Sequence, residues 1–270
     1  MVNAEAARLG VPVGVSAKRK RRLWPFVAVA VVLVVLIVGI IAADAAAKAY
    51  AEDQIRQKLV SALGVAPGTP VDVRIGGGSV LFQAVAGHLD TVDVTIPSLA
   101  FGELVGAATL HATRVPLDPS APLEKLAISY TVSEKNLSAL AANLSGLKLD
   151  TVTLESPEIV ANATFPVLGF GIPIGLGLEP SASKGRLLFA PTSIHVAGQT
   201  FTAKQLLATP AFSGLAKALL RQQSFCVAQY LPKALTVTSA KVVAHALVLQ
   251  AVGDGAALGG AGFTTKGSCP

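Results

Sequence analysis

Residues 75–96 read IGGGSVLFQAVAGHLDTVDVTI. Three glycines precede an apolar triplet, Val80-Leu81-Phe82, and a second break at Gly87-His88 leads into strict alternation. Val92, Val94 and Ile96 fall on one side and Asp93 and Thr95 on the other, the pattern of a half-buried antiparallel strand. The glycines raise three readings: a phosphate loop, a catalytic turn, or a bend into a lipid-facing wall. A phosphate loop needs a helix opening on GK[ST] after the glycines, and Gly76 to Gly78 have no such successor. The stretch therefore predicts a turn and a strand forming part of an apolar wall, its glycines allowing a tight bend.

The alternation extends on both sides, through VDVRI before the glycines and LHATRVPLDP after them, where Pro116, Asp118 and Pro119 supply turn chemistry. Three helices are predicted. Ala51, Ile55, Leu59 and Leu63 recur every four residues and Gly64 ends the first; Ser133 can cap the second, whose stripe is Leu137, Leu140, Ala141 and Leu144. The third opens at Thr209-Pro210 and shows Phe212, Leu215, Ala216 and Leu219 on one face. Between the last two lie several short strands, interrupted by FPVLGFGIPIGLGLEP, where proline and glycine disfavour a long helix and a central strand alike. Two strand-like runs, ALTVTSA and KVVAHALVLQAVG, precede a Gly-rich tail. Strands outnumber helices and nothing alternates βαβ, so the class is α+β, a strongly curved antiparallel sheet packed around a few helices.

A separate signal lies upstream. Residues 23–43, LWPFVAVAVVLVVLIVGIIAA, carry no charge, and 14 of the 21 are Leu, Ile, Val or Phe. About 20 such residues cross the hydrocarbon layer as one helix, with Trp24 and Tyr50 placed for the two interfaces. The run exceeds the roughly 7 to 15 residues of a signal-peptide core, which favours a retained transmembrane anchor over a cleaved leader. The basic cluster Lys18 to Arg22 stays on the cytoplasmic side of such a helix. The organisation expected is a basic cytoplasmic tail over 1–22, an anchor over 23–43, and one exported domain over 44–270.

This division also explains the net charge of +6. Residues 1–43 hold six Lys/Arg against one Asp/Glu, leaving 16 of the 22 basic against 15 of the 16 acidic residues beyond. The excess is a topology signal, and a nucleic-acid partner loses its electrostatic footing. The two cysteines, Cys226 and Cys269, both fall on the exported side, where a disulfide persists. Without a CxxC or a histidine cluster they make a weak case for metal or redox chemistry.

Catalytic signatures are missing. No G-x-S-x-G elbow, HExxH, EF-hand loop or Walker A occurs, and His88, His111, His195 and His245 are isolated in the sequence. No catalytic residue, metal or cofactor is assigned. Asn136, Asn143 and Asn162 open N-x-[ST] triplets, read as ordinary polar positions. What remains is an abundance of aliphatic and Phe residues for a near-neutral exported domain. Leu81, Phe82, Phe101, Phe165, Phe170 and Phe189 either fill an ordinary core or line a greasy groove in which a lipid supplies the facing wall.

The succession AEDQIRQKL, VDVRIGG, LFQAVAGHLDTVDVTIPSL, SEKNLSAL and a late Cys with Leu231-Pro232 resembles the actinobacterial LmeA-like phospholipid-binding family, over roughly residues 49–270. Leu81, Gln83 and Gly87 match the family's most specific segment, whereas Gly78-Ser79 and Val80 replace an aromatic and a proline. The resemblance implies an envelope protein that binds phospholipid, of phosphatidylinositol type, and assists maturation of mannan-bearing lipoglycans at the membrane. It also implies a tubular lipid-binding architecture. Phospholipase activity is attributed to relatives, but no catalytic motif maps onto this chain.

Overall fold

The computed structural model describes residues 24–66, 68–101, 104–143, 149–167, 170–196, 198–208 and 223–269. The helix expected from Thr209-Pro210 lies outside the described residues. The chain divides into two compact units, one ending at Ala45 and the other running from Ala46 to Pro270.

The first element is α1 (Trp24–Leu63), a single helix of 40 residues. Two separate helices were expected, an anchor and an amphipathic segment. They are continuous because the junction, Ala43-Asp44-Ala45-Ala46-Ala47-Lys48-Ala49, is rich in the best helix former and holds no glycine or proline. Gly64, at φ 60°, stops the helix in the left-handed conformation. The apolar part has a mean hydropathy of 2.9 and is long enough to cross a membrane, a test that a signal sequence also passes; its large side chains from Val29 to Ile41 are exposed.

Among the described residues the other α-helices are short: α2 (Val80–Ala86), α3 (Glu134–Asn143), α4 (Ala203–Ala208) and α5 (Ala261–Thr264). Sheet 1 contains β1 (Asp72–Gly76), β2 (His88–Phe101), β3 (Leu104–Pro116), β4 (Lys125–Ser133), β11 (Thr236–Val243) and β12 (Ala246–Val252). Its antiparallel order is β1-β2-β3-β4-β12-β11. Sheet 2 contains β5 (Thr151–Glu155), β6 (Glu158–Val167), β7 (Phe170–Ser183), β8 (Arg186–Val196), β9 (Gln199–Thr202) and β10 (Gln223–Cys226). Its order is β10-β8-β7-β6-β5, with β9 also paired to β8. Antiparallel sheets with few helices match the α+β expectation.

Cross-strand partners share a sheet face, so the register shows how sheet 1 builds its core. Ile75, Val92, Ala112 and Leu126 form one row, and Ile96, Ala108, Tyr130 and Leu249 another. Ala51, Ile55, Leu59 and Val60 of α1 pack against the β1–β2 part of this face; Val60 takes the place expected for Leu63, which stays exposed. The alternate positions Thr95, Thr109, Ser129 and Gln250 form the polar outer face. At the far end the Tyr130 hydroxyl lies 2.9 Å from the Leu99 carbonyl and 2.8 Å from that of Leu104, and burial pushes its pKa upward.

Sheet 2 corrects one expectation. β7, the Gly- and Pro-rich segment, is a central strand, hydrogen-bonded to β6 on one side and β8 on the other. Only Pro173 and Pro180 among its 14 residues lack a donor, and a bulge after Gly177 absorbs the irregularity. Its glycines are needed for close approach: a Cβ at Gly175 would stand 2.6 Å from Asn162 Oδ1, and one at Gly177 would collide with Ser193 Oγ and Glu158 Oε2. The Cys226–Cys269 disulfide forms, tying the end of β10 to the C-terminal tail.

The opening stretch also departs from its reading. Val80-Leu81-Phe82 begins α2 rather than a strand. Ser79 caps it by accepting the Phe82 N–H, and Gly87 at φ 78° terminates it. Strand β2 starts only after that stop, so the wall is a turn, one short helix and a strand.

Candidate functional site

Sheet 2 carries its chemistry in two opposite faces. The register sets Ala161, Leu176, Ile194 and Phe201 in one row across β6, β7, β8 and β9. Beside it run Ala163, Ile174 and Val196, and on the other side Leu154, Ile159, Leu178 and Pro191. Past the bulge the same face continues through Pro180 and Phe189, and through Leu187 with Phe225. These positions are apolar, and the rows end on Gln199 and Gln223, the partners of Val196 and Phe189 on β9 and β10.

Cover over this face is uneven. Leu154 and Ile159 are buried at the end that meets sheet 1, where they join Val132, Val242 and Leu247 in a common cluster. Away from that junction Ala161, Ile174, Leu176, Ile194 and Val196 are only half-buried, and Phe201 is exposed. Leaving a side chain of this size in water forgoes roughly 1.5 to 3 kcal/mol of burial energy. A face that repeats this at position after position is suited to an apolar ligand.

The opposite face carries the polar side chains, beside a buried Val160 and a half-buried Leu188. Ser193, buried to 4% exposure, donates to Glu158 Oε2 at 2.6 Å and lies 3.0 Å from His195 Nε2. The His195 Nδ1 faces Thr200 Oγ1 at 3.1 Å, and Gly177 leaves the room for the group. A serine nucleophile needs its hydroxyl proton directed at the imidazole and the carboxylate on the far ring nitrogen. Here the carboxylate accepts the serine proton itself and the far nitrogen faces a threonine. The network is suited to holding β6, β8 and β9 together rather than to acyl transfer.

This cluster was invisible in the sequence, because residues 158, 193 and 195 meet only through strand register. The other histidines likewise acquire carboxylate neighbours: His111 with Asp93 at 2.6 Å, His88 with Asp90 at 3.7 Å, and His245 with Glu134 at 3.9 Å. Among the described residues no three His, Cys, Asp or Glu side chains gather into a metal site.

The six apolar positions singled out earlier fall in separate places. Leu81 and Phe82 lie exposed on α2. Phe101 ends β2 and stacks edge-on against Tyr230 at 6.5 Å, while Phe189 packs edge-on against Phe225 at 5.8 Å and reaches the cluster between the sheets. The backbones of Phe165 and Phe170 lie near the β6–β7 turn, paired with Ile172 and Val167; their side chains are outside the described set. Phe101 and Phe189 thus gain aromatic partners, Tyr230 and Phe225, that no local periodicity marked.

Two open concavities lie elsewhere. One, of about 570 Å³, is formed on the outer face of sheet 1 by residues that include Asp93, Thr109, His111, Ser129 and Gln250. The other, of about 670 Å³, lies between the end of α1 and the loop into β1. Of the described side chains among the six, Leu81, Phe82, Phe101 and Phe189, none lines either.

The model of one protein family, described as LmeA-like phospholipid-binding, matches residues 42–252. No curated protein and no solved structure matches the chain.

Proposed function

The chain belongs to the LmeA-like phospholipid-binding family, and from that premise we propose that the half-covered apolar face of sheet 2 receives the acyl chains of a phospholipid. The uninterrupted aliphatic rows across β6, β7 and β8 carry this reading. Phe189 and Phe225 continue this face past the bulge, and in this proposal Phe101 with its partner Tyr230, Leu81, Phe82, Phe165 and Phe170 are further lipid contacts. Each CH₂ transferred from water contributes about 0.8 kcal/mol.

In this proposal residues 1–22 are cytoplasmic, 23–43 anchor the protein in the membrane, and 44–270 form the extracytoplasmic lipid-binding domain. Lys18 to Arg22 support the orientation, and the disulfide agrees with an oxidising compartment. The finer role is handling of phosphatidylinositol-type lipid during lipoglycan and mannan maturation in an actinobacterial envelope, as a carrier without catalytic residues. The anchor raises the domain's effective concentration at its lipid source.

The test is lipid extraction from the purified full-length protein followed by mass spectrometry. A phospholipid is expected to co-purify, and added phospholipid to raise the melting temperature; no lipid and no thermal shift would overturn the proposal. Incubation with phospholipid separates a carrier, which returns it intact, from an esterase. Product release that stops in Ser193→Ala or His195→Ala would favour hydrolysis.

A further inference from the structure

The face of sheet 2 that carries Ser193 and Glu158 ends in a second group of polar side chains. Lys184-Gly185 joins β7 to β8 with both residues at positive φ, 50° and 74°, and Ser183 pairs with Arg186 across this two-residue turn. Such turns follow the twist of the strands and favour Asn-Gly, so Lys184 stands where asparagine is the usual choice. Arg186 pairs on its other side with Cys226 of β10. One row along, about 7 Å away, Ser181, Leu188 and Ser224 are partners. Cross-strand partners share a face, which sets Arg186 among the hydroxyl-bearing residues Ser181, Ser183 and Ser224.

Arg186 is the anomaly in this group. It is half-buried and its Nε is fully enclosed, yet that atom has no hydrogen-bond partner. Among the described residues the other three arginines are more exposed and each holds a carboxylate: Arg56 that of Asp53, Arg74 that of Asp72 at 2.9 Å, and Arg114 that of Glu124 at 3.1 Å. Neither Arg186 nor Lys184 has such a partner among the described residues. Glu179, the first carboxylate along this face of β7, lies about 14 Å from Ser183. A guanidinium withdrawn from water without a counter-charge is costly, and an enclosed donor without an acceptor adds to the cost. The exposed arginines are neutralised and the covered one is not, so the missing anion comes from outside the chain.

We infer that Arg186, with Lys184 and the hydroxyls of Ser181, Ser183 and Ser224, forms a site for a phosphate group. The guanidinium fork fits two phosphate oxygens and the lysine adds a point charge. Serine hydroxyls donate to the oxygens that remain. The phosphate belongs either to a phospholipid headgroup or to a free phosphate ion. The headgroup source rests on the phospholipid-binding reading above. Ala182, Leu187 and Phe225 end the apolar face one position from Arg186, so a lipid whose chains lie on that face brings its headgroup round the end of the β7–β8 hairpin.

The experiment follows the Arg186 Nε–H resonance by NMR in the full-length protein in neutral detergent, assigned through its loss in Arg186→Lys. Inorganic phosphate at constant ionic strength is expected to shift it with saturation, and chloride to leave it in place. No shift, or the same shift with chloride, would overturn the inference. Arg186→Lys keeps the charge but loses the fork, and Lys184→Asn suits the turn. Each is expected to keep the melting temperature and, in equilibrium dialysis, to bind phosphate about tenfold more weakly; unchanged affinity in both would also overturn it. A second arm distinguishes the sources by uptake of phosphatidylglycerol and of diacylglycerol with the same chains. A roughly tenfold loss in Arg186→Lys confined to phosphatidylglycerol identifies the headgroup, whereas equal uptake beside a phosphate-responsive resonance assigns the site to free phosphate. If the wild-type protein takes up no phospholipid while Arg186 still responds to phosphate, the function reading fails and the phosphate site stands.

Discussion

In sheet 1 the row Ile96–Ala108–Tyr130 begins fully buried, Ile96 at 0% and Ala108 at 1% exposure, and ends on a half-buried Tyr130, while in sheet 2 the equivalent row Leu176–Ile194–Phe201 runs from half-buried to exposed. Both rows obey the same alternation and have similar side chains. The difference lies in what faces them. Sheet 1 meets α1 and its own neighbours at van der Waals contact, the condition for a close-packed core. Among the described residues sheet 2 joins a buried cluster where Val152, Leu154, Ile159 and Leu178 meet Val132, Val242 and Leu247. Equal hydrophobicity thus has two uses, and cover, more than composition, distinguishes packing from binding.

The comparison can be broken in three ways. The largest effect is expected from Cys226→Ser. Opening a 43-residue loop costs about 4 kcal/mol in the chain-entropy model, read as a lower melting temperature under oxidising conditions. That loss falls on the β10 rim of sheet 2, and an unchanged melting temperature would show the bond to be dispensable. Second, Ile96→Ala should cost about 2 to 5 kcal/mol in denaturant unfolding and leave lipid content per folded molecule unchanged. Leu176→Ala should do the reverse, costing about 1 kcal/mol for a half-buried site and lowering bound phospholipid. Equal destabilisation by the two would erase the distinction between the sheets.

The smallest effect concerns the end of the β2–β3 hairpin. Tyr130→Phe removes the hydroxyl beside the Leu99 and Leu104 carbonyls, an expected loss of about 1 kcal/mol. The folded phenol titrates above its ordinary value because burial disfavours the phenolate. Its contribution is therefore fully present below about pH 10 and is lost as pH rises through the raised folded value. Stability against pH, measured in parallel for wild type and Tyr130→Phe, should show the alkaline decline reduced in the variant.

How much of this was legible depended on range. The alternation around Val92, Val94 and Ile96, the Ser133 cap, the stop at Gly64 and the cysteine pair are local or compositional signals, and each reappears in the fold. The central placement of β7 was hidden because proline and glycine read as breakers until their neighbours are known; Gly175 and Gly177 are small to admit Asn162, Glu158 and Ser193 from adjacent strands. Helix α2 escaped notice because seven residues show scarcely two turns of period. The continuous apolar face of sheet 2 needed the register of six strands, which no single segment encodes.

The last strands have a consequence for how the molecule is made. Because β12 pairs with β4, matching Val252 with Ala127 across 125 positions, and the Leu126 N–H reaches Asp254, sheet 1 stays unfinished until some 125 residues beyond β4 have been made. Strands β1 to β4 pair with their sequence neighbours and must then wait for β12, a long-range closure that is intrinsically slow.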